Sequence, residues 1–120
     1  MTQPSALSDD SLSIEVDRQA PSAVVRLTGS VTMETDARLN EALQALVRDG
    51  FNRIVLDLAR LAFICSGGLG TLVAAHVRCL RSDGQVTVVA PQPRVREVLR
   101  KTKLDHLFPI HDSVAQALPA

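Results

Sequence analysis

The chain is predicted to fold as one α/β domain, a mixed and mostly parallel sheet with an N-terminal antiparallel hairpin and four helices. Three observations predict it. Apolar, β-branched runs alternate with segments of helical period from residue 23 to the end. The first two runs are separated by only a short turn, so they read as a hairpin. The length, 120 residues, suits one domain with a single core of ordinary size.

Each element has its own signal. "LSIEVDRQ" (12–19) places Leu12, Ile14 and Val16 on one side of a half-exposed strand, and the turn Ala20-Pro21-Ser22 leads into a second strand, 23–31. Leu39, Leu43, Leu46 and Val47 fall at helical spacing over 34–48, and Asp49-Gly50 ends that helix. "RIVLDLA" (53–59) is apolar enough for a central strand, with a bend expected at Arg60-Leu61. A second helix over 66–81 would bury Leu69, Leu72, Val73, Val77 and Leu80. The turn Ser82-Asp83-Gly84 introduces a strand at 85–90. Pro91 to Pro93 opens a third helix carrying Val95, Val98 and Leu99, and 107–111 reads as a short fifth strand. Asp112 is the expected N-cap of a last helix, Ser113 to Leu118.

Composition removes several function classes. The formal net charge is zero, with 46% hydrophobic and 22% charged residues, so the chain has no basic footprint for nucleic acid or anionic lipid. Three phenylalanines are its only aromatics from the Phe, Trp and Tyr group, which leaves little for stacking on bases. No apolar run approaches the ~18 residues of a membrane span. Residues 1–10 lack the charged and apolar regions of a signal peptide and read as a flexible tail before a domain at 11–120. A cytoplasmic protein with Cys65 and Cys79 reduced is expected.

The stretch "AFICSGGLGTL" (62–72) carries the candidate chemistry, because it joins the third strand to the second helix. In open α/β sheets, sites lie outside the carboxyl ends of the strands, and a helix N-terminus favours anions. Four uses of it compete. A cysteine nucleophile at Cys65 would want a basic residue in its loop, yet none occurs before Arg78. A phosphate cradle lacks the lysine of the Walker pattern and the spacing of G-x-G-x-x-G. Serine catalysis fails the nucleophile-elbow pattern, since Ile64 stands two residues before Ser66 where glycine is needed. Finally, Ser66 could accept a regulatory phosphate, or it could simply cap the helix by bonding the N–H of Gly68 or Leu69. The loop alone leaves these last two open.

A longer comparison of motifs bears on the choice. "RIVLDLARLAFICSGGLGTLVAA" resembles the signature of STAS domains, in particular the bacterial anti-sigma factor antagonists, whose strand ends in Asp-Leu before a connection and Asp-Ser-Ser/Ala-Gly-Leu. Gly29 after the second strand and the tail "LRKTKLDHLFPIHDSVAQAL" (99–118) extend the likeness over about 12–118. The resemblance implies a STAS-like single domain without enzymatic activity that switches partners. Unphosphorylated, it would bind an anti-sigma factor that is also a serine kinase and so free a sigma factor; a serine phosphatase would restore it after phosphorylation. Carried over by position, Ser66 is the phosphoacceptor. Gly29, Ser30, Thr32, Cys65, Gly67, Gly68 and Leu69 would form the partner surface with it.

Two departures bear on that role. The family's usual Asp before the serine is Cys65 here, and the acids usual after the strand glycine are Ser30 and Thr32. A STAS scaffold in another signalling or transport complex, or a Cys65-based thiol sensor or enzyme, are the alternatives. No cofactor, metal, nucleic acid or membrane partner is expected, and the chain should be a monomer or weak dimer. His76 reads as a core histidine. Asp57 is expected to end its strand near the site. Arg94, Arg96, Arg100, Lys101 and Lys103 read as a solvated helix face.

Overall fold

The computed structural model describes residues 11–118. The expected tail at 1–10 and the last two residues of the domain lie outside the described residues. The elements run β1 (Leu12–Gln19), β2 (Ser22–Val31), α1 (Asp36–Arg48), β3 (Arg53–Ile64), α2 (Ser66–Leu80), β4 (Gln85–Val89), α3 (Pro93–Lys101), β5 (Ile110–His111) and α4 (Val114–Ala117), with a 3₁₀ turn at Leu104–His106 before β5. The strands form one sheet in sequence order. β1 and β2 pair antiparallel, and each later neighbour pairs parallel. This is the mixed sheet with four helices that the sequence predicts, because parallel neighbours need helical crossovers while a short turn suffices for the hairpin.

The main core lies under α1, α2 and α3. Ala23, Val25 and Leu27 of β2 and Ile54, Leu56 and Leu58 of β3 face Leu39, Leu43 and Leu46 of α1 and Leu69 and Leu72 of α2. A smaller cluster of Val24, Val55 and Val89 on the opposite face is covered by Val114, Ala117 and Leu118. Burial on both faces explains why β2, β3 and β4 read as continuous apolar runs rather than as alternation.

The structure departs from the predicted elements in several places. β3 does not bend at Arg60 but continues to Ile64, alongside β2. Register shifts between Arg26 and Thr28 and between Gly29 and Ser30 insert extra residues into β3. Leu58, Leu61 and Ile64 are therefore all buried at a spacing of three, which hides the strand's period of two. In α2 the inward face is Leu69, Leu72, Ala75, His76 and Cys79, whereas Val77 and Leu80 point to solvent. Both stripes are apolar in sequence, and the inward one is continued by Ala75, His76 and Cys79 in place of Val77 and Leu80.

β5 is shorter than predicted. Lys103 takes a left-handed φ of 62° and a 3₁₀ turn follows. Phe108 is buried, and Pro109 offers only its carbonyl to Val88. The cap of α4 is Ser113 rather than Asp112: its Oγ accepts from Gln116 N–H at 3.2 Å, and Gln116 Oε1 accepts from Asp112 N–H at 3.0 Å.

Candidate functional site

The ends of β2 and β3 carry the candidate site. Ser30 pairs with Phe63 and Val31 with Ile64, so the segments that follow these strands emerge side by side. Cys65 N–H donates to Val31 O at 2.9 Å and joins them. The first intrahelical bond of α2 then runs from Leu69 N–H to Cys65 O at 3.0 Å. The amides of Ser66, Gly67 and Gly68 precede that bond and carry the positive end of the helix.

Ser66 is exposed, at the first position of α2. It does not cap the helix as the sequence allowed. Cys65 is the N-cap, in extended conformation, and no side chain makes a capping bond there. A serine one residue inside the helix no longer reaches back over the first turn. The Ser66 side chain thus stands at the surface at a helix N-terminus.

Its glycine neighbours differ. Gly67 is exposed, but a Cβ on it would run into Asp36 Oδ2. Gly68 is buried, and a Cβ there would lie 2.7 Å from Val31 Cγ1 and 2.8 Å from Ile64 Cγ1. Leu69 is also buried. Gly68 lets α2 approach β2 and β3, so neither it nor Leu69 presents a side chain at the surface.

The β2 side of the site is tied down by Thr35, a buried residue that sequence reasoning passed over. Its Oγ1 accepts from Thr32 N–H at 2.8 Å and donates to Ser30 O at 3.1 Å. Thr32 O accepts from the N–H groups of Thr35 and Asp36 at 3.0 and 2.8 Å. The signal was present as a threonine just before an acid at a helix start. Gly29 and Ser30 lie within β2, so of the expected loop residues only Thr32 follows the strand. Gly29 has φ +106°, and a Cβ on it would run into Ser11 O; its role is in the backbone.

The remaining chemistry-bearing residues fall elsewhere. Cys65 is half-buried and its Sγ donates to Asp36 Oδ2 at 3.9 Å; Cys79 is buried, which pushes its thiol pKa up. Both cysteines are free. Asp57 is not near Ser66: β3 runs seven residues beyond it, roughly 20 Å of strand. It pairs with Arg26 at 3.6 Å on the other face of the sheet.

His76 is buried in α2, its Nδ1 accepting from Val86 N–H at 3.0 Å and its ring edge-on to Phe108 at 5.2 Å. Burial lowers its pKa. On α3, Arg100 and Lys101 pair with Glu97, and Arg94 lies over the Phe63 ring at 5.3 Å. Among the described residues no group of three or more His, Cys, Asp or Glu side chains could hold a metal ion, and no helix is long and apolar enough to cross a membrane.

The fold and site define a small α/β module with an exposed serine at the head of α2, beside a hydrogen-bonded turn. The sequence profile of the STAS domain matches residues 13–117, and the chain belongs to that family. An anti-sigma F factor antagonist of Paenibacillus polymyxa is 29% identical over 108 residues, covering 89% of this chain and 92% of that protein. The crystal structure of an anti-sigma factor antagonist from Mycobacterium paratuberculosis is 30% identical, with a TM-score of 0.81 over 98% of this chain and 95% of that one. The anti-sigma factor antagonist SpoIIAA shares the fold at 18% identity. Its unphosphorylated form gives a TM-score of 0.79 over 88% of this chain and 92% of that one. Its phosphorylated form, from Bacillus, gives 0.72 over 88% and 96%.

Proposed function

We propose that this chain is an anti-sigma factor antagonist, a binding module without enzymatic activity whose partner binding is switched at Ser66. The observation that carries the reading is the exposed Ser66 at the first turn of α2, next to Cys65, whose N–H donates to Val31 O at the end of β2. The names of the relatives and the two phosphorylation forms of SpoIIAA support it. In this reading the unmodified domain holds an anti-sigma factor with serine kinase activity, acting in the cytoplasm. Cys65, Ser66 and Gly67 meet that partner together with Ser30 and Thr32, while Gly29, Gly68 and Leu69 shape the surface from beneath.

The kinase moves the γ-phosphoryl of ATP to Ser66 Oγ. The bond to ADP breaks and the hydroxyl proton leaves to a kinase base or to solvent. The product carries about −1.5 to −2 charge where a neutral hydroxyl stood. Charge repulsion and desolvation then oppose the packed partner, and a serine phosphatase reverses the step. Incubation with the anti-sigma kinase and ATP, followed by mass spectrometry, should place one phosphate on Ser66. A kinase that binds the chain yet leaves Ser66 unmodified would remove the switch.

A further inference from the structure

The head of α2 has no acid of its own, since its first turn is Ser66, Gly67, Gly68 and Leu69. The anion found there comes from another helix. Asp36 opens α1, and its Oδ2 accepts from Cys65 Sγ at 3.9 Å while occupying the space a Gly67 Cβ would need. It thus touches the residues on both sides of Ser66. Its carboxylate therefore sits beside the first turn of α2, whose positive end favours a negative group. We propose that Asp36 is the built-in counter-anion of this helix end, and that a phosphate on Ser66 competes with it and so acts on the turn at Thr32–Asp36. The inference rests on Ser66 being the phosphoacceptor.

The path of that action is short. Asp36 N–H and Thr35 N–H both donate to Thr32 O, and Thr35 Oγ1 bridges Thr32 N–H and Ser30 O. A phosphoserine at a helix N-terminus is by itself stabilising. Here it arrives on the residue between Cys65 and Gly67, the two that Asp36 Oδ2 lies beside, and two anions at one helix end repel each other. Phosphorylation therefore pushes the Asp36 side chain away, and its own backbone amide passes the disturbance to Thr32. The modification on one half of the surface is read on the other half. Cys65, whose thiol is a weak donor, leaves that carboxylate only loosely held and free to be displaced.

The test is a thermodynamic cycle on the full chain, with phosphoserine incorporated at position 66 during translation. Four species are melted: wild type and Asp36→Asn, each with serine or phosphoserine at 66. Phosphate should lower the wild-type Tm by about 3 °C and leave the Tm of Asp36→Asn unchanged or raised. A purely structural role for Asp36 would give the same phosphate shift in both backgrounds, which overturns the inference. Placing the acid on the neighbouring residue, Asp36→Asn with Cys65→Asp, should restore the penalty. Amide NMR shifts of Thr32 and Thr35 should respond to the phosphate in wild type and far less in Asp36→Asn. Should Asp36→Asn fail to fold, Asp36→Ala completes the same cycle. No kinase is used, so a chain that no kinase modifies would remove the proposed function and still give a result here. A modified Ser66 with no coupling would remove this inference alone.

Discussion

The two ends of the helical layer are both wedged by glycine, yet against different material. At the amino ends of the parallel strands, a Cβ on Gly84 would run into Asn52 O, the same carbonyl that accepts from Gln85 N–H at 2.9 Å. Asn52 Nδ2 also donates to Ser82 O at 2.6 Å. That end is backbone locked on backbone. At the carboxyl ends, the atoms nearest a Cβ on Gly67 or Gly68 belong to side chains, those of Asp36, Cys65, Val31 and Ile64. Side chains can shift by a rotamer where a sheet backbone cannot. One end holds the fold, and the other can change what it presents without unfolding.

This contrast is breakable by substitution. Gly84→Ala should cost the most, about 3 kcal/mol, because the Asn52 backbone must move and its ladder bond weakens; urea unfolding measures it. Gly68→Ala should cost only about 1 kcal/mol, since the methyl displaces Val31 and Ile64 side chains while alanine returns part of the loss through helix propensity. Equal costs at the two positions would erase the distinction between the ends.

Gly70 sharpens it from the other side. It is exposed on α2 with nothing near its Cβ position, so Gly70→Ala should stabilise by about 0.8 kcal/mol. Ser66→Ala should change stability least, by less than about 0.5 kcal/mol, because no capping bond is lost. A loss near 1 kcal/mol in the same urea series would mean that the serine does cap α2.

The buried interior carries a pH signature of its own. His76 has its pKa lowered from 6.5 by burial, and its unprotonated Nδ1 accepts from Val86. The unfolded chain therefore binds the proton more readily than the folded one. Its contribution is whole above pH 6.5 and declines as pH falls through that value toward the lower folded pKa. Tm should drop between pH 7 and about pH 5.5. His76→Gln should flatten that slope, and an unchanged slope would assign it to other groups.

Much of this architecture is legible in the residues. The hairpin, the crossover helices and the leucine stripe of α1 follow from spacing that each element imposes on its own. What escaped depends on partners distant in sequence. The length of β3 is hidden by bulges opposite β2, and the inward face of α2 runs through Ala75, His76 and Cys79, residues that a search for large apolar side chains passes over. At the site, Ser66 and its glycines stand out as a motif, but their division into exposed and buried members does not. Asp36 is 30 residues before Ser66 and looks like an ordinary helix-opening acid until α1 and α2 are packed together.

In the proposed function, Ser66 switches partner binding. Isothermal titration of the cognate anti-sigma kinase with the chain carrying serine, and then phosphoserine, at position 66 tests it most directly. Affinity is expected to fall by about tenfold or more on phosphorylation. Equal affinities for the two forms would contradict the account.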